Sequence, residues 1–193
     1  MKDDPTKDHP PIWGKDGSQV LFKERYPVVL KTYHKWKDLN PLLEKYIRQQ
    51  GDRIKHRSNV KAQMTEWKMW NEPGFKQLAD IAINVGIKAS TDKHMRDVNL
   101  RLSTLWGMKY KSNEEAIPHD HWPALWSFAY YLNAPKDAPG LFFPDLGEQG
   151  GERKLEKGLL VMFEGYIRHA VRKSKFKGYR YVVSGNLHEV HND

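Results

Sequence analysis

The chain has 193 residues, a formal charge of +8 and a pI near 9.5; 39% of it is hydrophobic and 12% aromatic, enough for one domain with a sizeable core. It contains no cysteine, which excludes disulfides, zinc fingers and thiol nucleophiles and leaves His, Asp and Glu as the metal ligands available. No apolar run approaches the roughly 18 residues that a membrane span needs, and the charged, Pro-rich opening MKDDPTKDHPPIWGKDGS does not read as a signal peptide.

A basic surface suits nucleic acid, acidic substrates or anionic small molecules. The lysines and arginines are spread along the chain, and no nucleic-acid-binding motif goes with them. The expectation is a basic surface in a cytoplasmic setting, with no membrane partner; a nucleic-acid partner is not expected, although the charge of +8 leaves it open.

In chain order, residues 1–17 read as a flexible arm and residues 18–193 as a single domain. SQVLFKERYPVVLKTY (18–33), rich in apolar and β-branched residues, predicts a first strand or two. DLNPLLEKYIRQQG (38–51) predicts a helix capped by Asn40, with Pro41 in its first position, Gly51 at its end and Leu42, Leu43, Tyr46 and Ile47 on one face. NEPGFKQLADIAINVG (71–86) predicts a second amphipathic helix stopped by Gly86. Helical support thus spans about residues 38–97, and from about 98 to 187 the pattern turns to strands. NLRLSTLWGMKYK (99–111) alternates, placing Leu100, Leu102, Thr104, Trp106, Met108 and Tyr110 on one face. The aromatic-rich HDHWPALWSFAYYLNAP, the short PGLFFPD, KGLLVMFEGYIRHAV and YRYVVSGNL supply further strands. The fold class is mainly β with N-terminal helices: an antiparallel barrel or jelly roll with helices packed outside it.

Two features carry chemistry. His119 and His121 flank Asp120 in PHDHW. On a strand, His-x-His projects both rings to one face, their backbones roughly 6.5–7 Å apart, and turns Asp120 away. His169, 48 residues downstream on another strand, can close a three-ligand metal face with open positions. The remaining histidines have no comparable setting and read as surface or packing residues. The second feature is Arg180, 11 residues after His169, which shares a strand face with Val182, Ser184 and Asn186. A buried arginine is costly without an anion, and a guanidinium beside a hydroxyl suits a carboxylate. The neighbouring Arg168, Arg172, Lys173, Lys175 and Lys177 read as solvated.

The ordered segments LNPLLEKYI, GFKQLADIAI, NLRLSTLWGMKYKSNEEAIPHDHWPALWSFAYYLNAP, GLFFPD, KGLLVMFEGYIRHAV and GYRYVVSGNL cover most of residues 38–187. Together they resemble the Fe(II)- and 2-oxoglutarate-dependent dioxygenases, in particular a prolyl-hydroxylase-like branch of phage and marine bacterial type. The resemblance implies a double-stranded β-helix, cupin-like core. It implies Fe(II) at His119, His121 and His169, with O2 and 2-oxoglutarate as co-substrates. Arg180 would grip the distal carboxylate of 2-oxoglutarate and Tyr131 would hydrogen-bond it, with Ser184 and Asn186 at polar positions beyond the arginine. The implied reaction is hydroxylation of a substrate, a peptide or amino-acid residue before a small molecule, with release of succinate and CO2. If the chain is phage-encoded, the location is the host cytoplasm.

The family's usual pattern is His-x-Asp, and this chain has His121 at the Asp position. The competing geometry makes Asp120 the ligand by way of a bulge. Trp106, Trp122, Trp126, Phe128 and Tyr130 are candidates for the pocket lining. Two other readings stay open: a cupin-like metal enzyme without 2-oxoglutarate, which has no use for Arg180, and a non-catalytic basic binding module, which would bind no iron and depend steeply on salt.

Overall fold

A computed structural model describes residues 28–55, 57–94 and 97–190. The elements run β1 (Val28–Thr32), α1 (Trp36–Gln50), β2 (Gln63–Met64), α2 (Pro73–His94), β3 (Leu100–Tyr110), β4 (Ala116–His119), β5 (Trp126–Tyr131), β6 (Leu159–Glu164), β7 (His169–Val171) and β8 (Arg180–Glu189). Six strands form one antiparallel sheet in the order β1-β6-β5-β8-β3-β2, and β4 and β7 pair in a second. Bridges from Val60 to Ala116 and from Phe142 to Ala170 widen the small sheet on both sides. No helix among the described residues is long and apolar enough to cross a membrane.

Strand alternation divides the core in two. On one face of the large sheet, Leu39, Leu43 and Ile47 of α1 and Phe75, Leu78 and Ala82 of α2 pack against Leu105, Trp126, Tyr130, Met162 and Leu187. On the other face, Trp106, Met108, Tyr110, Tyr131 and Phe163 meet Ala116 and Val171 of the small sheet. β5 and β6 are buried along their whole length because both faces are covered.

Several expectations are corrected. Helix α1 begins at Trp36, so Asn40 and Pro41 lie inside it and Asn40 caps nothing. Asn40 is a buried strut: its amide donates to the Leu132 carbonyl at 2.7 Å, and its Oδ1 accepts from the Tyr130 hydroxyl at 2.7 Å. Leu42 is exposed, and Leu39 takes its place on the buried face. Gly51 does end the helix, at a positive φ of 63° and with its N–H on the Ile47 carbonyl.

Gly86 does not stop α2, which runs eight residues further, to His94. It lies at a close approach of α2 to the sheet: a Cβ there would lie 2.8 Å from Leu100 Cδ1 and 2.9 Å from Leu187 Cδ1. The alternation of β3 breaks at a bulge between Leu102 and Thr104. Leu100 and Leu102 therefore pack on the helix side, while Trp106, Met108 and Tyr110 face the small sheet. PGLFFPD forms only the bridge at Phe142 before a 3-10 turn over Pro144–Gly150. The arm at 1–17 and the first part of 18–33 lie outside the described residues.

Gly107 plays the counterpart role under α1, where an added Cβ would sit 2.3 Å from Ile47 Cγ1 and 3.3 Å from Phe75 Cζ. We expect Gly107→Ala to cost about 1–3 kcal/mol, the usual penalty for overpacking a close-packed core. The measurement is a urea titration, with a lower midpoint at unchanged slope. An unchanged midpoint would show that the helix layer lifts from the sheet freely.

Candidate metal centre

The small sheet brings two histidines face to face. His119 ends β4 and His169 opens β7, and the two are direct partners across that antiparallel pair. Ala116 partners Val171, so three steps along β4 match two along β7. The bulge this requires falls at Ile117 and Pro118, and proline suits it because it has no N–H to donate to a ladder. Without the extra residue, Ala116 and His119 could not both face the cavity, as they do.

His121 reaches the same point by a different route. It lies beyond the end of β4, in a turn where its N–H donates to the Gly165 carbonyl and its own carbonyl accepts from Ala124. The strand geometry expected for His-x-His is thus replaced by a strand end followed by a turn. Ring centroids are 4.4 Å apart for His119 and His169, 4.9 Å for His121 and His169, and 5.0 Å for His119 and His121. One nitrogen from each ring lies within 4.8 Å of the others, a spacing that suits one metal ion. Asp120 points away: it is exposed, and its Oδ1 accepts from the Trp122 N–H at 3.1 Å.

Local contacts fix the rings. Nδ1 of His119 faces the Ile117 carbonyl at 2.6 Å, and Nδ1 of His169 faces the Ile167 carbonyl at 3.2 Å. A carbonyl only accepts, so both Nδ1 atoms carry the proton and both Nε2 lone pairs are free for a metal. Burial lowers the pKa of all three rings from the ordinary 6.5, for His121 to about 4 and for His169 well below its usual value; the neighbouring imidazoles lower these two further. At neutral pH the rings are uncharged, the form that binds metal.

The same cavity holds Arg180. It opens β8 opposite Tyr110 of β3 and is 1% exposed. The guanidinium carbon stands 4.0 Å from the centroid of the Tyr110 ring. Nη1 donates to the Pro139 carbonyl, and Nε has no partner. No carboxylate pairs with Arg180 among the described residues. Tyr131 also lines the cavity, and its hydroxyl accepts the Leu141 N–H at 3.1 Å, which leaves its own proton to donate. Ser184 lines the cavity; Asn186 does not. The Asn186 side chain is held between the Ser127 hydroxyl at 2.8 Å and the Thr104 hydroxyl at 2.9 Å. The cavity that these residues line is narrow and partly open to solvent.

Of the aromatic candidates, Trp106 and Phe128 line the cavity, Trp126 and Tyr130 face the helices, and Trp122 is exposed. Sequence reasoning missed Tyr110 as the platform under Arg180 and Phe163 as the ring against His169, centroids 4.6 Å apart. Both follow from cross-strand register, which leaves no local signal. Of the other histidines, His34 is exposed and His188 half-buried, while His9, His56 and His191 lie outside the described residues.

The fold is shared with solved structures of prolyl hydroxylases and of the 2OG-Fe(II) oxygenase family. A viral collagen prolyl hydroxylase from Paramecium bursaria Chlorella virus 1, solved as its 2OG complex, superposes with a TM-score of 0.63 at 16% identity over 86% of this chain and 96% of that one. A prolyl hydroxylase from Trichoplax adhaerens, in complex with a peptide fragment of hypoxia inducible factor, gives 0.60 at 11% identity over 86% and 84%. An oxidoreductase of the 2OG-Fe(II) oxygenase family from Burkholderia pseudomallei gives 0.58 at 10% identity over 83% and 84%. No protein-family model matches the sequence, and no curated protein matches it at significance. The class to which this chain is similar is therefore set by fold.

The neutral rings have a consequence for stability. Unfolded histidines protonate near 6.5, while the folded ones resist protonation, so acid favours the unfolded state. Above pH 6.5 the effect vanishes; below it, each ring removes up to about 1.4 kcal/mol per pH unit until its folded value is reached. We expect the urea midpoint of the metal-free protein to fall from pH 6.5 towards pH 4, and to fall less steeply in His121→Asn. A midpoint independent of pH over this window would show that the rings are not buried as neutral groups.

Proposed function

We propose that the chain is a non-haem Fe(II)- and 2-oxoglutarate-dependent oxygenase that hydroxylates its substrate and releases succinate and CO2. The observation that carries this reading is the buried guanidinium of Arg180, without a carboxylate partner among the described residues, in the cavity that also holds the three histidines. A cation so placed calls for an anion. Three neutral imidazoles converging on one point suit a divalent metal with open positions. A cupin-like metal enzyme without 2-oxoglutarate would use the histidines and leave Arg180 unexplained. The two facing antiparallel sheets fit a jelly-roll, double-stranded β-helix reading of the core.

In this reading His119, His121 and His169 hold iron, and Asp120 stays in the turn as a cap for Trp122. Bound iron, with 2-oxoglutarate and O2, supplies the oxidising power for attack on a C–H bond. The protein's part is to bind and orient. Arg180 takes the distal carboxylate of 2-oxoglutarate, held in place by the Pro139 carbonyl and the Tyr110 ring. Tyr131 donates its free proton to the same carboxylate, and Ser184 stands close by on the same strand face. Asn186, fixed by Thr104 and Ser127, contributes to the sheet beside the cavity and not to the co-substrate. Apolar Met108, Phe163, Val171 and Val182 keep water away from the charged ends. A peptide substrate is favoured by the fold shared with the Trichoplax enzyme, whose structure contains a peptide.

Without a protein carboxylate at the metal, the anionic co-substrate provides the counter-charge. Iron and 2-oxoglutarate then bind cooperatively, each strengthening the other by the same factor. We expect anaerobic Fe(II) to raise the melting temperature modestly and Fe(II) with 2-oxoglutarate to raise it further. Arg180→Ala keeps the metal increment and loses the second one. The lost charge-assisted hydrogen bonds, about 1.5–3 kcal/mol, weaken 2-oxoglutarate binding by roughly tenfold to a hundredfold. Absence of any shift, together with no succinate from the iron-loaded protein, would sink the reading.

Substitution at the turn decides the ligand set. We expect Asp120→Ala to retain iron and His121→Ala to lose most of it, by metal analysis after anaerobic gel filtration. The reverse result would make Asp120 the ligand.

A further inference from the structure

We propose that Trp67 and Trp106 form a one-electron path from the metal centre to the protein surface, which drains an oxidising equivalent formed at the three histidines when no substrate is in place. The proposal rests on the reading of the site as an oxidising iron centre.

The path is a continuous series of ring contacts. The His121 ring meets Trp106 edge-on, centroids 5.9 Å apart, and Trp106 meets Trp67 edge-on at 5.0 Å. The segment carrying Trp67 is pinned to β3: the Leu105 N–H donates to the Trp67 carbonyl at 2.8 Å, and Lys68 bridges to Leu105. The indole pair is therefore held by backbone as well as by packing.

The two indoles differ in the way a relay requires. Trp106 is 3% exposed, and its Nε1 has no hydrogen-bond acceptor. Burial keeps an indole oxidised there from losing its proton as readily as one at the surface, so the electron hole passes on. Trp67 is 37% exposed and meets water, which takes the proton and traps the hole at the surface. The other oxidisable rings of the cavity, Tyr110 and Tyr131, are 2% and 1% exposed and give no comparable outlet.

The step balances as follows. One electron leaves the Trp67 ring through Trp106 and His121 to the oxidant at the metal, which is reduced by one electron and takes one proton from solvent. The Nε1 proton of Trp67 passes to water. A soluble one-electron donor of the ascorbate class returns the electron, and water returns the proton. Without such a donor, the Trp67 radical combines with O2 and the residue is oxidised permanently.

The test uses the Fe(II)-loaded protein treated with hydrogen peroxide, without 2-oxoglutarate or substrate, and maps added oxygen by peptide mass spectrometry. We expect Trp67 to be the first residue oxidised. In Trp106→Phe, oxidation at Trp67 falls several-fold and damage shifts to the histidines; added ascorbate suppresses it in the parent protein. Hydroxyl radicals generated in bulk from iron–EDTA should oxidise Trp67 equally in both proteins, which checks that its exposure is unchanged. Equal Trp67 oxidation by bound iron with and without Trp106 overturns the path. So does oxidation that persists when His119→Ala empties the site. The peroxide arm does not require 2-oxoglutarate: a protein that makes no succinate and still shows Trp106-dependent oxidation refutes the co-substrate assignment and leaves the path standing.

Discussion

A guanidinium removed from water, with no carboxylate to meet it among the described residues, is the constraint around which the β core is arranged. Desolvating such a cation costs several kcal/mol even after relaxation. The fold offsets only part of this. The Tyr110 ring contributes a cation–π contact, worth about 2 kcal/mol where desolvated, and the Pro139 carbonyl takes one N–H. Nε remains unpaired. On the oxygenase reading, the co-substrate anion would make up the shortfall and so link binding to stability, because a ligand that completes the site stabilises the folded state by mass action.

That position of Arg180 is a product of sheet register. β8 lies between β3 and β5, so its cavity-facing residues meet Tyr110 and Trp106 on one side and Ala129 on the other. Helices cover the opposite face, with Gly86 and Gly107 setting how close they come. With the outer face sealed, the space between the two sheets becomes the place where polar groups can converge with access to solvent. One cation and three neutral imidazoles converge there, together with the hydroxyl-bearing Tyr110, Tyr131 and Ser184. On the oxygenase reading, adding a dication leaves an excess of positive charge that only the co-substrate can offset. That sets this centre apart from the His-x-Asp pattern, in which the protein supplies part of the counter-charge.

How much of this is legible in the sequence depends on whether the backbone stays regular. Alternation is unbroken from Arg180 to Ser184 on β8, so the shared face of those residues reads directly. The convergence of His119, His121 and His169 reads as well, though for a reason that differs from the structure. Strand alternation would place His119 and His121 together, whereas in the fold a bulge at Ile117–Pro118 turns His119 inward and a turn carries His121. Such irregularities leave no mark in a period-2 pattern; the bulge in β3 likewise moves Leu100 and Leu102 to the helix side. Asn40 and Gly86 mislead for a related reason. Each is a common terminus residue recruited into a helix interior by a long-range contact, Asn40 by Tyr130 and Leu132, and Gly86 by the close approach of Leu100 and Leu187.

On the oxygenase reading, little backbone change at the turn of Asp120 would separate two kinds of metal centre. The Asp120 carboxylate is engaged in capping the Trp122 N–H, so its outward direction is held by the turn that also presents His121. The residue at 121 then determines two properties together. A carboxylate there would add negative charge at the centre and weaken the dependence of metal binding on the co-substrate. It would also be too short to make the edge contact with Trp106 that an imidazole makes. Histidine at this position leaves the centre more positive and joins it to an aromatic series that reaches water at Trp67. A more positive centre is the stronger one-electron acceptor from an electron-rich ring in direct contact. The charge at the metal and its contact with the tryptophan pair would thus both be set by one side chain.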